Sequence, residues 1–65
     1  MKIRDYSSGY AIVKYNYWLK YGVNAYVERY TDDLEDARYI KNSLEIVDTK
    51  PFVIINCETE EVESY

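Results

Sequence analysis

DDLEDARYIKNSLEIVDTKPFVIINC, residues 32–57, decides the fold, because its hydrophobic period changes once, at a proline. In its first half Leu34, Ala37, Ile40 or Lys41, Leu44 and Val47 recur at steps of three and four, which places one apolar stripe along about four helical turns. Asp32 or Asp33 can accept from the free N–H groups of the first turn. The Asp32-x-x-Glu35 spacing approximates a capping box with Asp in place of Ser or Thr, and the acid run suits the positive end of the helix dipole. Asp48-Thr49-Lys50-Pro51 stops the helix, since proline disfavours helical geometry in the residue before it and has no N–H to donate. Phe52–Cys57 is then apolar at nearly every position, the pattern of a strand covered on both faces or placed centrally in a sheet.

Downstream, Glu58-Thr59-Glu60 turns the chain and Glu61–Tyr65 reads as a charged edge strand whose acids discourage stray pairing. Upstream, Tyr10–Tyr17 reads as a strand whose alternation separates Ala11, Val13, Tyr15 and Tyr17 from Tyr10, Ile12, Lys14 and Asn16. Gly22 closes the turn that follows, and Asn24–Tyr30 reads as the antiparallel partner. Lys2–Tyr6 reads as a short first strand turned back by Ser7-Ser8-Gly9. The expectation is one α+β domain over residues 1–65, a small antiparallel sheet of four to five strands with one helix packed on one face, in ββ(β)αβ(β) order.

A chain of 65 residues builds a small core, one that rarely supplies more than about 3–5 kcal/mol without a disulfide, a metal or a partner subunit. Cys57 is the only cysteine and histidine is absent, so an internal disulfide and an ordinary Cys/His zinc site are excluded, which leaves oligomerisation. Cys57 reads as a small strand hydrophobe. No segment has the apolar length of a signal peptide or membrane span, and a cytoplasmic location is expected. Gly9 and Gly22 are the only glycines, so a phosphate loop is missing. No serine has a nucleophile's motif, and Glu58–Glu63 lacks the spaced oxygens of a calcium loop. No cofactor, metal or catalytic residue is expected.

Nine tyrosines accompany Trp18 and Phe52. With one helix to cover one face, and with the small residues Ala11, Val13, Ala25 and Val27 beneath it, Tyr10, Ile12, Trp18, Tyr26 and Tyr30 fall on the open face as a protein-binding or dimerising surface. Two copies stacked there would bury roughly 600 Å² of apolar area each, so a homodimer is expected. Glu58, Glu60, Glu61 and Glu63 form an acidic secondary site, separate from Asp32, Asp33, Glu35 and Asp36. Tyr15, Tyr17 and Trp18 also suit base stacking. The formal charge of −4 and the dispersal of Lys14, Lys20, Arg29 and Lys41 weigh against it, so no direct nucleic-acid partner is expected.

In its length, the aromatic hairpin Tyr10–Tyr30, the helix start Asp32-Asp33-Leu34-Glu35-Asp36-Ala37 and its acidic end, the chain resembles the small acidic proteins that bacteriophages encode to disable host immunity. These include anti-CRISPR proteins and inhibitors of helicase-nuclease systems such as Hachiman. The resemblance implies a stoichiometric inhibitor working in the host cytoplasm on a larger nucleic-acid-processing enzyme, either sterically or by presenting carboxylates where DNA phosphates bind. It carries over no functional residue. A self-associating structural or regulatory accessory domain with no enzyme target is the alternative.

Overall fold

In the computed structural model, which describes residues Met1–Tyr65, the chain runs through a 3-10 turn (Ile3–Asp5), strand β1 (Tyr10–Lys14), helix α1 (Tyr15–Tyr21) and a second 3-10 turn (Gly22–Asn24). Strand β2 (Arg29–Thr31), helix α2 (Leu34–Asp48), strand β3 (Phe52–Asn56) and strand β4 (Glu61–Ser64) follow. The four strands form one antiparallel sheet in the order β2-β1-β3-β4. The apolar run at residues 52–56 is thus an inner strand, and the acidic C-terminal segment is an edge.

α2 follows its sequence signals. The Asp33 carboxylate accepts from the Glu35 N–H at 3.1 Å, Asp33 itself stays extended, and Glu35 and Asp36 occupy the first turn. At the other end Thr49 adopts a left-handed conformation (φ 58°) and donates its N–H to the Glu45 carbonyl at 2.9 Å before Pro51. One position departs from the expected stripe. Thirteen residues at 100° each carry Val47 about 220° from Leu34, and Val47 points to solvent.

The sheet is covered on both sides, which corrects the expectation of one helix and one open face. Beneath α2, Ile12, Phe52 and Ile54 are buried against Ala37, with Tyr10, Leu34, Ile40 and Leu44 packed around them. The small residue that allows close approach is Ala37 on the helix. Ala11 and Val13 instead face the other side, where with Val53, Ile55 and Cys57 they bury Ile3 and Ala25 under Tyr6, Tyr15, Trp18, Val23 and Val27. The second cover is therefore the chain from Met1 to Val27 outside β1, and it explains why Phe52–Ile55 is buried at every position.

Three boundaries change with it. The expected strand Tyr10–Tyr17 ends at Lys14, and Tyr15–Tyr21 is helical, setting Tyr15 and Trp18, three apart, against the sheet and leaving Tyr17, Leu19 and Tyr21 exposed. The expected strand Asn24–Tyr30 shrinks to Arg29–Thr31. The expected first strand survives only as the bridge between Lys2 and Tyr26, flanked by Ile3 N–H to Ala25 O at 3.1 Å and Val27 N–H to Met1 O at 2.8 Å. The sheet has four strands and no fifth.

Candidate functional site

The structure divides the expected aromatic patch. Tyr10 and Ile12 lie under α2, and Ile12 is fully buried there. Trp18 is half-buried against the opposite face of the sheet. Tyr30 serves the fold, because its ring stacks on Tyr6 at 4.0 Å and 8° and its hydroxyl donates to the Ser8 carbonyl at 2.8 Å. That ring occupies the space where a side chain on Gly9, itself at φ +86°, would sit. Only Tyr26, 65% exposed, is both aromatic and free on the surface as expected.

Tyr26 has different neighbours from those expected. With Lys2, Tyr17, Tyr21 and Asn24 it lines a cleft of about 350 Å³ between the N-terminal segment and the end of α1. Helical spacing brings Tyr17 and Tyr21 edge to face at 6.2 Å. Each cleft tyrosine has an ammonium near its ring: Lys2 lies 5.7 Å from Tyr26, Lys14 5.4 Å from Tyr17 and Lys20 5.4 Å from Tyr21. These distances are within the range of cation–π attraction. Arg4 Nη1 donates to Asn24 Oδ1 at 3.0 Å, and the Asp5 carboxylate accepts from the Lys2 backbone N–H at 2.8 Å.

A second surface lies on the outer side of α2. Tyr39, Ile46 and Val47 are 75%, 78% and 81% exposed, and a groove of about 240 Å³ beside them is lined by Arg29, Ile40, Ser43 and Leu44. The inner face of the helix is fixed by Glu45. Its Oε2 accepts from the Phe52 N–H at 3.0 Å and from Lys41 Nζ at 3.1 Å. Burial alone would push the Glu45 carboxyl up. The Phe52 N–H and the Lys41 ammonium outweigh it and hold the carboxyl below its ordinary range.

Glu58, Glu60, Glu61 and Glu63 are all exposed along the β3–β4 turn and β4. Tyr10 pairs with both Thr31 and Asn56, so Asp32–Asp36 and the β3–β4 turn leave from the same end of the sheet but at opposite edges, because β2 and β4 are its outer strands. No group of three or more acids, cysteines or histidines is close enough to hold a metal ion. The Cys57 thiol is buried, and burial, reinforced by Glu60, raises its pKa against one lowering hydrogen bond from Ala11. A thiol so placed is a poor nucleophile.

Sequence reading missed the two surfaces for two separate reasons: Tyr17 and Tyr21 read as strand and turn residues, and Val47 read as part of the buried stripe of α2. The spacing of Tyr15, Trp18 and Gly22, three and four apart, is the signal for α1. No family model matches the chain, and neither a curated protein nor a solved structure does.

Proposed function

We propose that the chain is a non-catalytic protein-binding module that works as a homodimer, in the manner of the phage-encoded stoichiometric inhibitors of bacterial defence enzymes that it resembles. The observation that carries this reading is the outer face of α2. Three large apolar side chains, each at least three-quarters exposed, sit on a helix whose inner face is already satisfied. Such a patch marks an interaction surface.

The occupant is a second copy, because the face complements itself. Two α2 helices packed antiparallel about Ser43 set Tyr39 of each toward Val47 of the other, and the small Ser43 side chains meet at the crossing. Antiparallel packing also opposes the helix dipoles favourably. The apolar area is on the order of 350 Å² per copy, below a standard interface, so the dimer is weak, at about micromolar strength.

The inhibitor reading is supported by size and by the exposed acids Glu58, Glu60, Glu61 and Glu63 along the β3–β4 turn and the edge strand β4. Those carboxylates suit a site built for nucleic-acid phosphates on a larger host enzyme. Light scattering across a dilution series tests the dimer. Mass should rise from monomer to dimer with concentration, and Val47→Asp should remain monomeric; a wild-type monomer at about 500 μM, far above a micromolar constant, refutes it. Affinity capture from host lysate tests the inhibitor. Retention of a nucleic-acid-processing enzyme, lost on charge reversal of the four glutamates, supports it, and retention of nothing but the chain itself returns the reading to an accessory domain.

A further inference from the structure

The cleft lined by Lys2, Tyr17, Tyr21, Asn24 and Tyr26 lies on the side of the sheet opposite α2, and the proposed dimer leaves it free. Its charge differs from that of the rest of the molecule. Residues 1–27 carry Lys2, Arg4, Lys14 and Lys20 against Asp5, a net of +3. Residues 28–65 carry the other four bases against eleven acids, a net of −7, and together these give the formal −4. The whole-chain charge therefore hides a net cationic segment, the one that covers this side of the sheet. The Debye length is about 8 Å at physiological salt, so the lysines beside the tyrosines set the local field at the cleft more than distant charges do.

We infer that this cleft binds single-stranded nucleic acid, with an unpaired base stacked on the exposed tyrosines and the flanking phosphates paired with Lys2, Lys14 and Lys20. Three observations converge on that ligand. Exposed aromatic rings beside cations are the elements of a sequence-tolerant stacking platform. Lysine is depleted from protein–protein interfaces, whereas here all three cations beside the tyrosines are lysines. The Asn24 carboxamide, with Oδ1 already engaged by Arg4, has two N–H donors left for a base edge. A duplex keeps its bases stacked away from such rings and is excluded as the preferred form.

The test is fluorescence anisotropy of a labelled oligothymidylate of about twelve nucleotides, within the range of a small single-strand site, titrated with the full chain at low salt. Saturable binding should weaken with salt at a log–log slope of about −2, as expected for three phosphates on a single strand. Tyr26→Ala should cost about tenfold or more, Tyr26→Phe should restore most of it because the ring is retained, and Lys2→Gln should reduce the slope by about 0.7. Because Tyr26 and Lys2 lie on the surface, far-UV circular dichroism should be unchanged in all three variants. Val47→Asp should bind the oligonucleotide like the wild type, which separates this inference from the dimer reading. Absence of binding, equal binding of a duplex of the same length, indifference to Tyr26→Ala, or displacement by an equal concentration of polyglutamate would each overturn it. The last outcome would assign the cleft to an acidic peptide.

Discussion

Glu45 is the strut that fixes α2 against the start of β3, and removing it should cost a large part of the fold's stability. Its Oε2 takes the Phe52 N–H at 3.0 Å and Lys41 Nζ at 3.1 Å, and the two side chains are 29% and 12% exposed. A hydrogen bond to a charged group contributes about 1.5–3 kcal/mol, and the partly exposed ion pair adds a few tenths. Glu45→Ala should therefore cost about 2 kcal/mol, a drop in Tm of roughly 8–16 °C for a domain of this size. Glu45→Gln keeps a carbonyl acceptor for Phe52 but loses the charge, so about half of that loss is expected. The pH dependence carries a definite sign. The folded carboxyl lies below its ordinary value of 4.5, so its contribution is present above that pH and is lost as pH falls through the folded value. Thermal melts followed by circular dichroism should show the wild type above Glu45→Gln above Glu45→Ala from about pH 5 to 8, with the first gap closing in acid. A Glu45→Ala melt within about 2 °C of wild type at neutral pH, or a gap that widens in acid, would refute the strut.

Gly9→Ala should cost about 2 kcal/mol or more in urea unfolding, because the added methyl meets the Tyr30 ring while φ is +86°; in a Tyr30→Ala background only the backbone penalty of about 1 kcal/mol should remain. Ile54→Ala, in the core under α2, should cost about 2–5 kcal/mol and leave little folded protein. Ile46→Ala, 78% exposed, should stay within about 0.5 kcal/mol in dilute monomer. The emission maximum of Trp18, which packs against the sheet away from α2, should stay the same as the protein is diluted from dimer to monomer; a red shift on dilution would place the dimer contact on the wrong side.

The parts of the fold set by strong local chemistry were legible in the sequence. The aspartate start of α2, its proline stop, the inner strand Phe52–Asn56 and the acidic edge Glu61–Ser64 all follow from capping, the period of the apolar residues and charge. The same inner strand also pointed to the second cover. Phe52–Ile55 shows no alternation because both faces are covered, and one helix cannot cover both. The missing cover was α1, whose seven residues include three tyrosines and a tryptophan, side chains that favour strands, and whose start has no side-chain cap. Once Tyr15–Tyr21 is helical, Ala11 and Val13 are covered on its side of the sheet, Ile12 falls to the face under α2, and Tyr17 and Tyr21 join Tyr26 at the cleft. Placing the candidate site thus depended on a helix too short to announce itself.

The dimer geometry is tested most directly by disulfide trapping of Ser43→Cys in a Cys57→Ala background. Helix axes about 8–10 Å apart with Cα radii of about 2.3 Å leave roughly 3.4–5.4 Å between facing Cα atoms at the crossing. That overlaps the range of about 4.4–6.8 Å that a disulfide spans. Mild oxidation should convert Ser43→Cys to a covalent dimer in high yield at concentrations where the wild type associates, while Asn16→Cys, exposed on α1 across the sheet, should stay monomeric. Equal trapping at both positions, or trapping only at Asn16→Cys, would contradict the assignment of α2 as the self-association face.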